Sequence, residues 1–111
     1  MLDIIETPSY LKRAERVLTP KQRQEIADVL VADPRCGAVI RGTHGCRKMR
    51  YASVPHKGKS GGARVIYFYL EVRGRIYLLD FYEKSDKEDL SERDCRGLSE
   101  MVRILRGDGH G

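Results

Sequence analysis

Basic side chains crowd one stretch of this sequence in a pattern suited to holding phosphates. Arg47, Lys48 and Arg50 are interleaved with Met49 and Tyr51. Lys57, Lys59 and the paired glycines Gly61-Gly62 follow, and Arg64 opens an apolar, aromatic run from Val65 to Leu70. Glycines permit close backbone approach, and a guanidinium can fork onto two phosphate oxygens. From Arg35 to Arg75 ten Lys or Arg stand against one acid, Glu71, while the segments on either side are slightly acidic. The formal charge of the whole chain is +5. Its concentration in one stretch implies a polyanionic partner more strongly than the total does.

A second cluster, Tyr82-Glu83-Lys84, closes the last apolar run. A tyrosine and a lysine at a strand end can transfer protons when a neighbouring positive field lowers their pKa values. His44 and His56 lie in the basic loops. Imidazole can exchange protons near neutrality, although a surface histidine usually has no such role. Blander readings set the scale: a charge run is usually a solvated loop, and a Tyr-x-Lys at a strand end is usually an ordinary turn. Gly58-Lys59-Ser60 is no phosphate-binding Walker loop, because Ser53 occupies the first glycine position and a strand pattern follows. Tyr67, Tyr69 and Tyr77 suit the core or cross-strand pairs better than base stacking.

The elements that must position these groups are legible. Leu2 to Glu6 reads as an edge strand. Thr7-Pro8 starts a helix that runs to about Val17, with Tyr10, Leu11, Ala14 and Val17 on one side. Thr19-Pro20-Lys21-Gln22 starts a second one with a threonine cap, proline next and glutamine three residues on. Ile26, Val29 and Leu30 follow at helical spacing, and Asp33-Pro34 ends the pattern. After the glycines Gly37, Gly42 and Gly45 the period changes to two. Lys48 and Arg50 then share one face of a strand, Met49 and Tyr51 the other. Val65 to Leu70, a turn at Arg73-Gly74, and Ile76 to Tyr82 read as a hairpin. Ser91-Glu92-Arg93-Asp94 is a capping signature, and Leu98, Met101, Val102 and Leu105 form a helical stripe for packing on the sheet. The expected class is α+β, in the order β-α-α-β-β-β-α, with an antiparallel sheet packed against helices.

The 111 residues suit a single domain, here 1–106 with a frayed tail at 107–111. No apolar run reaches membrane-spanning length, and the first residues lack the regions of a signal peptide, so a cytoplasmic location is expected. Cys36, Cys46 and Cys95 are odd in number and form no CxxC, which argues against a disulfide framework. Cys36, His44 and Cys46 lack a fourth ligand and fit no common zinc spacing. No metal and no cofactor is expected.

Several motifs together resemble one known family. They are Gly42-Thr43; Gly45-x-Arg47-Lys48-x-Arg50; Lys57-Gly58-Lys59-x-Gly61-Gly62-x-Arg64-Val65-Ile66-Tyr67; Phe81-Tyr82-Glu83-Lys84; and Asp89-Leu90. This set is similar to the RelE/HigB toxins of bacterial toxin–antitoxin pairs, nearest the HigB-like branch. The Gly-Gly-x-Arg strand start with the later Tyr-x-Lys is its most specific part, and the element order matches over nearly the whole chain.

The resemblance implies a RelE-like fold and a ribosome-dependent mRNA endonuclease that cleaves the codon in the A site. The ribose 2′-hydroxyl attacks the adjacent phosphate without a metal, so the protein must position RNA, neutralise phosphate and move protons. The family's paired basic residues fall on Lys48 and Arg50, its phosphate-stabilising arginine on Arg64, and its basic residue after the last strand on Lys84. Arg47, Lys57, Lys59 and His56 are the expected RNA and ribosome contacts. Where the best-known members carry a tyrosine as candidate base, this sequence has Leu90. Tyr82 is the nearest substitute, with His56 behind it. The resemblance also implies a cognate antitoxin, often a helix-turn-helix protein, through which the pair reaches operator DNA. No membrane partner is expected.

Two other classes stay open on sequence alone. Gyrase-inhibiting toxins share the architecture without needing the RNA-cleaving residues. A plain basic RNA-binding module needs the charge but neither Tyr82 nor Lys84.

Overall fold

In the computed structural model, which describes residues 2–52 and 62–107, the chain folds as a five-stranded sheet between two helical layers. The first strand, β1 (Asp3–Glu6), leads into helix α1 (Pro8–Ala14) and helix α2 (Pro20–Ala32). A two-residue strand β2 (Ala38–Val39) precedes β3 (Arg47–Tyr51) and β4 (Ala63–Leu70). A single 3₁₀ turn (Glu71–Arg73) then reverses the chain into β5 (Arg75–Glu83), and helix α3 (Glu92–Arg106) follows.

The helix starts obey local chemistry. Thr7 caps α1, with Pro8 as the first helical residue. Thr19 caps α2 and exchanges two hydrogen bonds with Gln22, as do Ser91 and Asp94 at α3. Helix α1 stops at Ala14, a turn short of Val17, and Leu18 continues its buried face. On α2, Ile26 and Leu30 are buried, but Val29 is 47% exposed and faces solvent.

The sheet order is β1-β5-β4-β3-β2. Three neighbouring pairs are antiparallel, but β1 runs parallel to β5, with Asp3 opposite Arg75 and Glu6 opposite Leu78. The wholly antiparallel sheet expected from sequence is thereby corrected. No local signal reports strand direction when α1, α2 and three further strands intervene before the partner strand. Strand β2 is also additional. Two residues carry too little pattern to read, and the pairing Ala38–Lys48 and Val39–Arg47 forms because Gly37 lets the chain pass close to β3. A Cβ there would lie 2.8 Å from the Lys48 carbonyl oxygen and 2.9 Å from the Tyr67 ring.

Both faces of the sheet are covered. Tyr10, Ala14, Ile26 and Leu30 pack with Met49, Val65, Tyr67, Ile76, Leu78 and Phe81 beneath α1 and α2. Leu98 and Val102 pack with Cys46, Ile66, Phe68, Leu70, Tyr77, Leu79 and Tyr82 beneath α3. Residues of β5 alternate between these layers until Leu79. There the register slips, since Tyr67 pairs with Leu78 whereas Ile66 pairs with Asp80. The extra residue is a β-bulge, and it resets the alternation. Phe81 rather than Asp80 therefore joins the α1–α2 layer, and Tyr82 turns to the α3 layer.

Candidate active site

The ladder between β3 and β4 brings the basic residues together. Lys48 lies opposite Ile66, and Arg50 opposite Arg64. Directly opposed residues of an antiparallel pair share a face, so Lys48, Arg50 and Arg64 all lie on the side of Ile66, the α3 side. Like charges opposite one another destabilise a sheet, and a bound polyanion turns that repulsion into attraction. Arg50 is exposed, and Lys48 and Arg64 are half-buried. Arg64 donates from Nη1 to the Ala63 carbonyl at 3.3 Å.

The neighbouring strand completes the group. Tyr82 stands opposite Arg64. Lys84 is the first residue beyond β5; its side chain is exposed, and its backbone N–H donates to the Gly62 carbonyl at 3.2 Å. Gly62 has φ +94°, a conformation open chiefly to glycine, and it sets the entry into β4 two residues before Arg64. The glycine in the Gly-Gly-x-Arg motif thus clips the start of β4 to the end of β5, beside Arg64 and Lys84.

Asp89, in the connection to α3, places a carboxylate in the basic group. Its Oδ1 lies 3.2 Å from Lys48 Nζ. The Leu90 N–H first, then Lys48 and Arg64, hold this carboxyl below the usual range. Sequence reasoning noted Asp89 within a motif and gave it no role. The signal was an acid just ahead of a helix cap, but its distance from Lys48 in the chain hid the pairing. Leu90 packs against the α3-side core.

Tyr82 departs from expectation. It is 3% exposed, and its hydroxyl is buried with no hydrogen-bond partner among the described residues. Burial chiefly, then the Asp89 charge, raises its pKa, outweighing Arg64. The positive field expected to lower this phenol is overridden by desolvation. Lys87 Nζ sits 5.2 Å from its ring centroid.

Arg47 is not brought into the group. It pairs across from Tyr67, on the α1–α2 side, and its Nη1 donates to the carbonyls of Arg35 at 3.2 Å and Gly37 at 2.7 Å. His44 lies beyond the other end of β3, hydrogen-bonded to Ser99 on α3. His56, Lys57 and Lys59 lie outside the described residues, as do residues 108–111 of the expected tail; Gly107 is the left-handed cap of α3. Among the described residues no three His, Cys, Asp or Glu side chains cluster to hold a metal, and no helix is long and apolar enough to cross a membrane.

No protein-family model matches the chain. Solved structures do. The isolated E. coli RelE toxin is 22% identical with a TM-score of 0.53, over 95% of this chain and 99% of that one. A mutant of E. coli RelE in the free state is 19% identical with a TM-score of 0.54, over 78% and 87%. The intact E. coli RelBE toxin–antitoxin complex is 20% identical with a TM-score of 0.51, over 73% and 94%. The chain has the α+β fold of the RelE toxins.

Proposed function

We propose that this protein is the toxin of a toxin–antitoxin pair and that it cleaves mRNA in the ribosomal A site. The observation that carries the reading is the shared face of Lys48, Arg50 and Arg64, with Arg50 opposite Arg64 and Lys84 at the adjacent strand end. That arrangement suits a phosphodiester better than a small neutral ligand, and the sequence motifs of the RelE/HigB toxins fall on these four positions. The HigB-like assignment rests on those motifs.

In this reading the substrate supplies its own nucleophile. The 2′-oxygen forms a bond to phosphorus as the bond to the 5′-oxygen breaks, which leaves a cyclic phosphate and a 5′-hydroxyl. Arg64 forks onto the non-bridging oxygens as they gain charge, and Lys84 stabilises or protonates the departing 5′-oxygen. Lys48 and Arg50 hold the flanking backbone. Tyr82 is buried, so in this reading His56, the second candidate from the sequence, takes the role of base. Asp89 is the resting counter-ion of Lys48 and gives way to RNA phosphate on binding.

An antitoxin is the expected protein partner, as RelB is for RelE in the RelBE complex, with operator DNA reached through it. Primer extension on mRNA from cells expressing the chain tests the reading. Cleavages that follow the reading frame are expected. Growth arrest with intact mRNA and inhibited gyrase would replace it with the gyrase-inhibitor reading.

A further inference from the structure

The connection from β5 to α3 carries two groups of the proposed site. Lys84 opens it, and Asp89, near its end, lies 3.2 Å from Lys48 Nζ. Its ends are tied down: the Lys84 N–H donates to the Gly62 carbonyl at 3.2 Å, Leu90 packs against the α3-side core, and Ser91 caps α3. Between them the chain turns, with the N–H groups of Asp86 and Lys87 donating to the Glu83 carbonyl at 2.9 and 3.3 Å. Lys84, Ser85, Asp86, Glu88 and Asp89 are exposed, and Lys87 between them is half-buried. Its Nζ lies 3.0 Å from Asp94 Oδ2 on α3 and 5.2 Å from the ring centroid of Tyr82 on β5. The same Asp94 oxygen accepts the Ser91 N–H at 2.9 Å, in the cap of α3. One side chain thus joins the middle of the connection to the strand before it and to the helix after it.

We propose that Lys87 is a positioning residue, a bolt that fixes the β5–α3 connection so that Lys84 and Asp89 are held in place for the reaction. The inference deepens the RNA-cleaving reading and rests on it. A run of exposed side chains gains little from burial, and segments with few buried contacts open locally at small cost. Lys87 supplies the missing constraint. Its ammonium is held from two sides, by attraction to an aromatic face and by a charge-assisted hydrogen bond to a carboxylate. Both partners are themselves fixed: Tyr82 is buried, and Asp94 is already engaged in the helix cap. A charged group stabilises a transition state most when it stands in place before the charge develops. The Lys84 side chain is exposed, so its placement depends on the backbone that carries it. Lys87, three residues on, acts through Lys84 and Asp89 and makes no contact with RNA.

The test pairs amide hydrogen exchange in the free, full chain with the kinetics of mRNA cleavage on ribosomes. Lys87→Met keeps the length of the side chain and removes its charge. It is expected to speed exchange at the hydrogen-bonded amides of Lys84, Asp86 and Leu90, while those of Leu98 and Val102 stay protected and show that α3 is folded. Its kcat is expected to fall about tenfold with KM little changed, the pattern of an interaction lost from the transition state alone. Lys87→Arg, which keeps the cation, is expected to restore both readouts. Asp94→Asn is expected to slow cleavage too, and the double variant with Lys87→Met to lose no more than the worse single one, because both break the same contact. Exchange at the parent rate in Lys87→Met overturns the inference. So does a raised KM at the parent kcat, which would make Lys87 an RNA contact, and so do additive losses in the double variant. A parent chain that leaves mRNA intact would sink the RNA-cleaving reading, and exchange would still decide whether Lys87 fixes the connection. A cleaving parent matched in kcat by Lys87→Met would sink only the positioning role.

Discussion

Tyr82 stands opposite Arg64 across β4 and β5, and the bulge at Leu79 is what turns it to the same face. With regular alternation from Leu78 onward, Tyr82 would join the α1–α2 layer. Arg64 would then face an apolar residue, and Lys84, two residues on, would leave the sheet on the wrong side. The bulge therefore belongs to the architecture of the site.

Arg64 and Lys84 carry the first prediction. Arg64→Ala and Lys84→Ala are each expected to lower mRNA cleavage on ribosomes by about 10²–10³, the usual loss for one preorganised charge contact. Arg64→Lys is also expected to be impaired, because it keeps the charge without the planar fork. Thermal melts should stay near the parent value, since neither side chain is in the core. Cleavage at the parent rate by both alanine variants would remove them from the reaction.

Tyr82→Phe separates packing from catalysis. The hydroxyl is buried without a partner among the described residues, so its removal relieves an unmet desolvation penalty, about 1–3 kcal/mol for such a group. Unchanged or raised stability in urea and near-parent cleavage are expected, whereas His56→Ala should abolish cleavage. The reverse order would return the role of base to Tyr82.

Arg47 and Lys48 are adjacent in sequence and opposite in role. Affinity for RNA should fall steeply with salt. Lys48→Ala, or the pair Lys57→Ala and Lys59→Ala, should flatten that slope. Arg47→Ala should leave the slope alone and cost about 1.5–3 kcal/mol of stability, because its guanidinium serves backbone carbonyls. Urea melts and filter binding across salt concentrations check both halves.

Acid stability should depend on Asp94. Its carboxyl is held below the usual range, first by the Ser91 N–H and then by Lys87. A depressed folded pKa stabilises above the unfolded value, about 3.9, and that contribution disappears as pH falls through the folded value. Asp94→Asn should therefore reduce stability at neutral pH and flatten its decline below about pH 4. The Asp80 carboxyl is raised by burial and contributes with the opposite sign. An unchanged acid profile in Asp94→Asn would show that the cap does not depend on the charge.

Leu98, on the sheet-facing side of α3, is 5% exposed. Leu98→Ala is expected to cost about 2–5 kcal/mol, read by urea denaturation. A cost under about 1 kcal/mol would mean that α3 contributes little to the fold.

The sequence by itself determined the three helix starts with their caps and the longer strands, though not the two-residue β2 or the end of α1. Thr19 with Gln22, and Ser91 with Asp94, are local hydrogen-bonding instructions, and the stripe at Leu98 and Val102 is a local period. It also determined that Lys48 and Arg50 share a face, because strand alternation needs no partner. What only the tertiary structure decided is everything that depends on register. The parallel pairing of β1 with β5, the bulge that turns Tyr82 toward Arg64, the burial that raises its pKa, and the meeting of Asp89 with Lys48 join residues far apart in the chain. Arg47 shows the limit most sharply: its charge is plain in the sequence, but whether it meets phosphate or backbone carbonyls depends on which face of β3 it occupies and what the sheet packs there. Desolvation and cross-strand contact are properties of the packed molecule, and no residue carries them alone.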